Sequence, residues 1–142
     1  MAKAYTAWTV LKHGPIEPLG ENIWRVKGAL PGMSLERVMT IVRRGDGSLL
    51  LHSPIALDEA RQRELEALGP IAVILVPNAG HRLDAPAYKL RYPQVLVLCP
   101  RGGRERIAEV VAVDGTYDDY KDDGVIRLET LDGVAHSEGA LI

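Results

Sequence analysis

Side chains that can bind ligands or take part in catalysis follow apolar segments of this 142-residue chain. His81 comes after the apolar segment 71–76 and the turn 77–80, and His52 ends the apolar segment 48–52. A buried strand that ends in a polar turn fixes the position of that turn, whose side chains then point into the crevice at the strand's carboxyl end. A metal site would require several His or Asp ligands in the turn after residue 76. The segment 77–81 contains a single histidine and no aspartate, so it supplies too few ligands by itself.

Each of these residues also has a structural interpretation. His81 can hydrogen-bond to the backbone and hold its own turn, or it can contact a substrate or a metal. Asn78 is predicted to cap the next turn with its side chain. His52 is predicted to brace its loop, because Pro54 follows two residues later. His13 lies in a polar N-terminal stretch and is predicted to be exposed.

The first third of the chain predicts antiparallel strands. Residues 23–28 alternate apolar and polar side chains, as a half-buried strand does, and residues 38–42 are rich in β-forming types. The segment 44–47 is a tight turn with an Asp-Gly pair, which predicts a hairpin that returns through residues 48–52. The Arg-Gly-Asp triplet in this turn could also be interpreted as an adhesion motif. We prefer the hairpin, because a tight turn accounts for both glycines and an adhesion motif for only one.

The period of the apolar pattern then changes to that of a helix. Asp58 is predicted to cap a helix that runs to Leu68, and Gly69-Pro70 ends it. The segments 71–76 and 94–98 do not alternate, which predicts strands that are covered on both faces. A short helix separates them, so we expect them to be parallel.

The remaining segments complete an α/β layered domain with an antiparallel edge. Short helices are predicted at 84–93 and 104–110, and a strand at 125–131. Five aspartates lie between residues 114 and 123, but their spacing does not match the twelve-residue calcium loop with its closing Glu, and a solvated loop is predicted instead. We expect a single domain over residues 1–142, which stops as a new strand begins.

Composition excludes several classes of protein. The chain is 46% hydrophobic and 25% charged with a net charge of −2, and it has no cluster of basic residues for nucleic acid. No apolar run approaches the ~20 residues that span a bilayer, and no signal peptide is evident. Cys99 is the only cysteine and is predicted to be a buried thiol rather than a nucleophile. These features are compatible with a cytoplasmic protein whose partner is a small molecule.

Four segments together resemble the metallo-β-lactamase fold superfamily. They are ENIWRVKGALPG, SLLLHSPIAL, IAVILVPNAGH and GVAHSEGALI, and they occur in the order of that family's first strand, its D-T-G strand, its metal-binding H-x-H-x-D-H loop and its G-H-[ST]-x-G-S segment. The resemblance implies a layered αββα half-sandwich with a mixed sheet. Because the family's bridging Asp lies beyond the last of these segments, we expect a domain truncated at its C-terminus.

The departures from the family pattern determine the expected chemistry. His52 stands where the family has the Asp of D-T-G, and His81 stands at the last His of the metal loop, whose other ligands are absent. His136 matches the later ligand His. The resemblance therefore implies at most one zinc, held by His81 and His136, in a pocket that also includes His52 and Asn78.

Two functional hypotheses follow from the resemblance. The first is a divergent hydrolase-like protein with at most one metal, in which a metal-bound water attacks a substrate that the sequence does not identify. The alternative is a non-catalytic binding or assembly domain that has lost the metal site. In that case an open sheet edge near Ile142 could pair with a second copy of the chain to form a homo-oligomer. The sequence also allows the chain to be the first part of a longer protein.

Overall fold

The structure, a computed structural model, describes residues 4–78, 81–121, 126–131 and 138–141. The strands in these ranges are β1 (Glu17–Gly20), β2 (Ile23–Leu30), β3 (Met33–Arg43), β4 (Leu49–His52), β5 (Ile71–Leu75), β6 (Leu96–Cys99), β7 (Gly115–Thr116), β8 (Leu128–Leu131) and β9 (Glu138–Leu141). The α-helices are α1 (Glu59–Leu68), α2 (Ala85–Arg91) and α3 (Arg104–Ala108). Antiparallel strands come first, and strands and helices then alternate, which confirms the predicted α/β class.

Within the described ranges, β1 to β7 form one mixed sheet in which spatial order follows chain order. Strands β1 to β4 pair antiparallel, and β4 to β7 pair parallel. The predicted parallel pairing of β5 and β6 is therefore confirmed. Since β4 and β5 run in the same direction, their carboxyl ends lie side by side, with His52 opposite Leu75.

The turn between β3 and β4 forms as its residue types predict. The Arg44 amide donates to the Ser48 carbonyl, and the Asp46 carboxylate accepts from both the amide and the hydroxyl of Ser48. Gly47 takes a φ of 87°, a conformation that glycine adopts without steric cost. This turn sets the register that brings His52 to the end of β4.

Helix α1 begins and ends at the predicted residues. The Asp58 carboxylate accepts from the Arg61 amide at 2.9 Å, and Gly69 follows the last helical residue. A Cβ on Gly69 would lie 2.3 Å from the carbonyl oxygen of Gly47, so the end of α1 and the β3–β4 turn approach too closely for any side chain. This contact places α1 against the sheet.

The sheet carries an apolar cluster on each face. The cluster under the helices includes Leu51, Leu65, Ile74, Val76, Tyr88, Val97 and Cys99. The cluster on the opposite face includes Val42, Leu50, Val73, Leu75, Leu98, Tyr117 and Ile126. Successive residues of β5 alternate between the two clusters, which confirms that this strand is covered on both faces.

Two predictions about polar residues need correction. His13 was predicted to be exposed, but its side chain is only 5% exposed. Its Nε2 accepts from the Asp58 amide and its Nδ1 donates to the Gly14 carbonyl, so both ring nitrogens are bonded within the fold. The segment that begins at residue 114 is also more than a solvated loop. Asp114 accepts from the Val97 amide, and β7 pairs with β6.

The strand predicted at 125–131 is present in part. Its described portion, β8, pairs antiparallel with β9 in a separate two-stranded sheet. In the ranges that the structure describes, no helix is both long enough and apolar enough to cross a bilayer.

Candidate functional site

The ends of β4 and β5 bring two of the predicted site residues together. His52 is the last residue of β4, and the next residue, Ser53, donates its amide to the Leu75 carbonyl at 2.9 Å. His81 comes after β5 in the chain, and its amide donates to the carbonyl of Asn78 at 3.1 Å. The parallel pairing of β4 and β5 thus places both histidines at one edge of the sheet.

Ser53 lies between the two imidazoles. Its Oγ is 3.1 Å from Nδ1 of His81 and 3.5 Å from Nδ1 of His52. The sequence predicts the two histidines as pocket residues but contains no signal that singles out the serine. A hydroxyl both donates and accepts, so it can donate to one imidazole while it accepts from the other.

Burial keeps the His52 side chain uncharged. Desolvation is the larger cause and the nearby His81 the smaller, and together they lower the pKa of His52 from 6.5 to about 4. At neutral pH His52 is therefore a neutral imidazole, with one nitrogen that donates and one that accepts.

The backbone of Ser53 adopts an unusual conformation. Its φ is 58°, and among the described non-glycine residues only Asn22 shares a positive φ. Asn22 lies in the turn between β1 and β2, where asparagine tolerates this conformation well. Serine has no such preference, and a residue before proline favours an extended backbone. Backbone strain of this kind is often found at functional sites.

A cavity of about 540 Å³ lies over this edge of the sheet. Its apolar lining residues are Leu30, Met33, Val38, Pro54 and Leu83, and its polar lining residues are Glu36, Arg37, Thr40, His52, Ser53, Asn78 and His81. Polar residues outnumber apolar ones, but most of the surface that the lining exposes to the cavity is apolar. An apolar wall with convergent polar groups is typical of small-molecule sites. His136, the remaining predicted site residue, lies outside the described residues.

A buried ion pair fixes the strand that borders the cavity. Nη1 of Arg37 on β3 lies 2.9 Å from Oδ2 of Asp84, and that carboxylate also accepts from the Ala56 amide at 2.9 Å. Burial raises the pKa of the Asp84 carboxyl, although Arg37 and the Ala56 amide act in the opposite direction. The ion pair joins β3 to the segment before α2. It therefore fixes the position of Arg37, which lines the cavity.

Solved structures that share this architecture include three metallo-β-lactamases. The one from Hirschia baltica is 18% identical with a TM-score of 0.54, over 83% of this chain and 60% of that chain. DIM-1 exposed to ceftazidime is 14% identical with a TM-score of 0.62, over 84% and 59%. The mono-zinc form of FIM-1 from Pseudomonas aeruginosa is 12% identical with a TM-score of 0.62, over 96% and 67%.

The chain has the metallo-β-lactamase fold. This confirms the fold that the sequence resemblance implies. Neither a model of a protein family nor a curated protein matches the sequence. At these identities the likeness establishes the fold alone, and the chain spans about 60% of the length of the first two metallo-β-lactamases.

Metallo-β-lactamases suggest zinc, and the described side chains test whether it fits. A catalytic zinc takes about three protein ligands and keeps one open position. No group of three or more His, Cys, Asp or Glu side chains that could hold a metal occurs among the residues the structure describes. His52 and His81 alone supply two imidazoles. The described residues therefore do not fit a catalytic zinc.

Proposed function

We propose that this chain is a divergent hydrolase-like protein of the metallo-β-lactamase fold, whose cavity binds a small molecule with an apolar body and a polar group. The observation that carries the proposal is the convergence of His52, Ser53 and His81 on one cavity. Two of these side chains are held at strand ends, so their positions are set by the sheet rather than by a loop alone.

The lining of the cavity supports this class of ligand. Leu83 and Val38 both line the cavity. Leu83 is 5% exposed and Val38, on β3, is 41% exposed, so the apolar wall includes both a buried and a solvent-accessible side chain. An apolar body would displace water from these walls, and each Å² of buried apolar surface contributes about 25 cal/mol. The polar group would be oriented by the imidazoles and the hydroxyl.

Binding of 1-anilinonaphthalene-8-sulfonate to the folded chain tests the proposal. Val38→Trp puts a large side chain at the cavity and should weaken binding about tenfold or more. Val10→Trp is the matched control, because Val10 has a similar exposed fraction of 45% and does not line the cavity. Equal dissociation constants in the two variants, with unchanged circular dichroism, would contradict the proposal.

The zinc predicted at His81 and His136 remains a separate prediction. Elemental analysis after dialysis with zinc tests it, together with the His81→Ala variant. About one zinc per chain that is lost in the variant would support a third ligand from the part of the chain outside the described residues. Equal zinc content in the two proteins would contradict His81 as a ligand.

A second candidate function is an assembly domain that forms a homo-oligomer. It is favoured by two large apolar side chains on β3, Met33 and Leu35, which are 57% and 67% exposed. Sedimentation equilibrium would measure the mass, and Leu35→Glu should dissociate an oligomer built on this surface. A monomer at all concentrations would contradict this candidate.

A further inference from the structure

We propose that Ser53 and His81 form a nucleophilic pair that accepts an acyl group from esters bound in the cavity. This rests on the proposed function, since the ester would occupy the same cavity. It assigns a reacting atom, Oγ of Ser53, and a class of substrate, esters with an apolar acyl group.

The distance between the two side chains supports the pair. Oγ of Ser53 lies 3.1 Å from Nδ1 of His81, which is within hydrogen-bond reach of a nucleophile and its base. Ser53 is 8% exposed and lines the cavity, and His81 is exposed beside it. The reacting oxygen is thus shielded from most water but faces the space that a ligand would fill.

A purely structural role explains the Ser53 hydroxyl less well. Serine hydroxyls in turns usually bond to nearby backbone groups. This hydroxyl contacts the two imidazoles, and the backbone amide of Ser53 already donates to the Leu75 carbonyl. The hydroxyl is therefore directed to groups that can take its proton.

The backbone conformation of Ser53 points in the same direction. A nucleophilic serine on a sharp, strained turn directly after a strand exposes its Oγ at the end of the sheet. Ser53 follows β4 directly, has a φ of 58° and precedes Pro54. Such strain persists only where the surrounding structure enforces it.

The reaction balances without a cofactor. The Oγ–H bond of Ser53 breaks as Oγ bonds to the ester's carbonyl carbon, and the proton passes to Nδ1 of His81. The carbon–oxygen bond to the alcohol then breaks, and the leaving oxygen takes that proton. Water attacks the acyl carbon, its proton passes through His81 to the departing Oγ, and a carboxylic acid leaves. One ester and one water give one acid and one alcohol.

The backbone of Ser53 and Pro54 predicts that hydrolysis of the acylated serine is slower than its acylation. Pro54 has no amide hydrogen, and the amide of Ser53 is already bonded to Leu75. Neither of these two residues therefore supplies the backbone donor that usually stabilises the oxyanion. An ester with a good leaving group should acylate Ser53, whereas attack by water should lag, so that the acyl chain accumulates.

Acylation by p-nitrophenyl butyrate tests the pair in the full chain. We expect a burst of about one nitrophenol per chain and one butyryl group on the peptide that contains Ser53, read by mass spectrometry. His81→Ala should slow the burst about 100-fold or more. Ser34→Ala is the control, because Ser34 is exposed on β3 and does not line the cavity, and it should react as the unaltered chain does.

Two variants remove the hydroxyl of Ser53. The second is needed because a variant that misfolds would lose the burst for a reason other than the missing hydroxyl. Ser53→Ala should lose the burst, and Ser53→Gly should lose it as well while accommodating the positive φ. A burst that persists in folded Ser53→Gly, or a butyryl group on another residue, would overturn the pair. If 1-anilinonaphthalene-8-sulfonate still binds while no acylation occurs, only the pair fails. If binding is lost from the cavity as well, the proposed function fails with it.

Discussion

The uncharged state of His52 makes the stability of the folded chain depend on pH. Its pKa is about 4 in the folded chain and 6.5 when solvated, so the unfolded chain binds more protons between these values. Stability from this residue is complete above pH 6.5 and is lost as the pH falls towards 4. The neighbouring His81 also disfavours the protonated form of His52, although burial is the larger cause.

We therefore expect the free energy of unfolding to fall by up to about 3 kcal/mol between pH 7 and pH 4 because of His52 alone. His52→Asn should remove this part of the pH dependence. Urea denaturation at several pH values measures both proteins, and other carboxylates and histidines affect both curves alike. Parallel curves for the two proteins would show that His52 titrates normally.

The positive φ of Ser53 predicts an unusual order of stability. Glycine adopts this conformation freely and alanine does not, so Ser53→Gly should be about 1 kcal/mol more stable than Ser53→Ala. At Ser34, within strand β3, the order should reverse, because glycine weakens a strand. Thermal denaturation of the four variants measures this. The same order at both sites would contradict the strained backbone.

The sequence predicted His81 as a pocket residue because it follows a buried strand, and His52 because it stands where the family pattern has the Asp of D-T-G. The structure shows why the two lie close together, since β4 and β5 are parallel and their carboxyl ends lie side by side. Ser53 had no such signal, because serine before proline normally has an extended backbone, and only the tertiary structure imposes its conformation. His13 was predicted wrongly, since its burial depends on Asp58, which lies 45 residues away.

The Arg37–Asp84 ion pair joins β3 to the segment before α2. Asp84 has no exposed side-chain area, so loss of its charge leaves a buried guanidinium without compensation. We expect Asp84→Asn to lower the free energy of unfolding by about 3 kcal/mol. Chemical denaturation measures the change.

Glu59→Gln is the matched control for this prediction. It alters another Arg–carboxylate contact of 2.9 Å, that between Arg91 and Glu59, whose acidic side chain is 61% exposed. Solvent screens such a pair, so its loss should change stability much less. Equal effects of the two substitutions would show that burial does not set the strength of the Asp84 contact.

Elements with a strong local signal were predicted closely. Helix α1 has its capping Asp58 and terminal Gly69, and the β3–β4 turn has its Asp-Gly pair, so both boundaries are encoded locally. The segment after residue 114 lacks such signals. Its structure depends on long-range bonds, such as that from the Val97 amide to Asp114, and aspartate-rich composition alone suggested only solvation.

Two apolar clusters on opposite faces of the sheet stabilise the fold. Leu51 on β4 has no exposed area, and Leu90 on α2 is 70% exposed. Leu51→Ala should lower the free energy of unfolding by roughly 2–5 kcal/mol, since it leaves a cavity under the helices. Leu90→Ala should have little effect. Similar melting temperatures for the two variants would contradict this assignment of the core.

Cys99 is the last residue of β6. The thiol has no exposed area, and burial raises its pKa to about 11, so at pH 7 only about one thiol in ten thousand is ionised. An alkylating reagent therefore modifies the chain only after β6 has separated from its neighbours. Each alkylated molecule has therefore opened at least once, and the rate of alkylation of the single cysteine measures how often the sheet opens around β6.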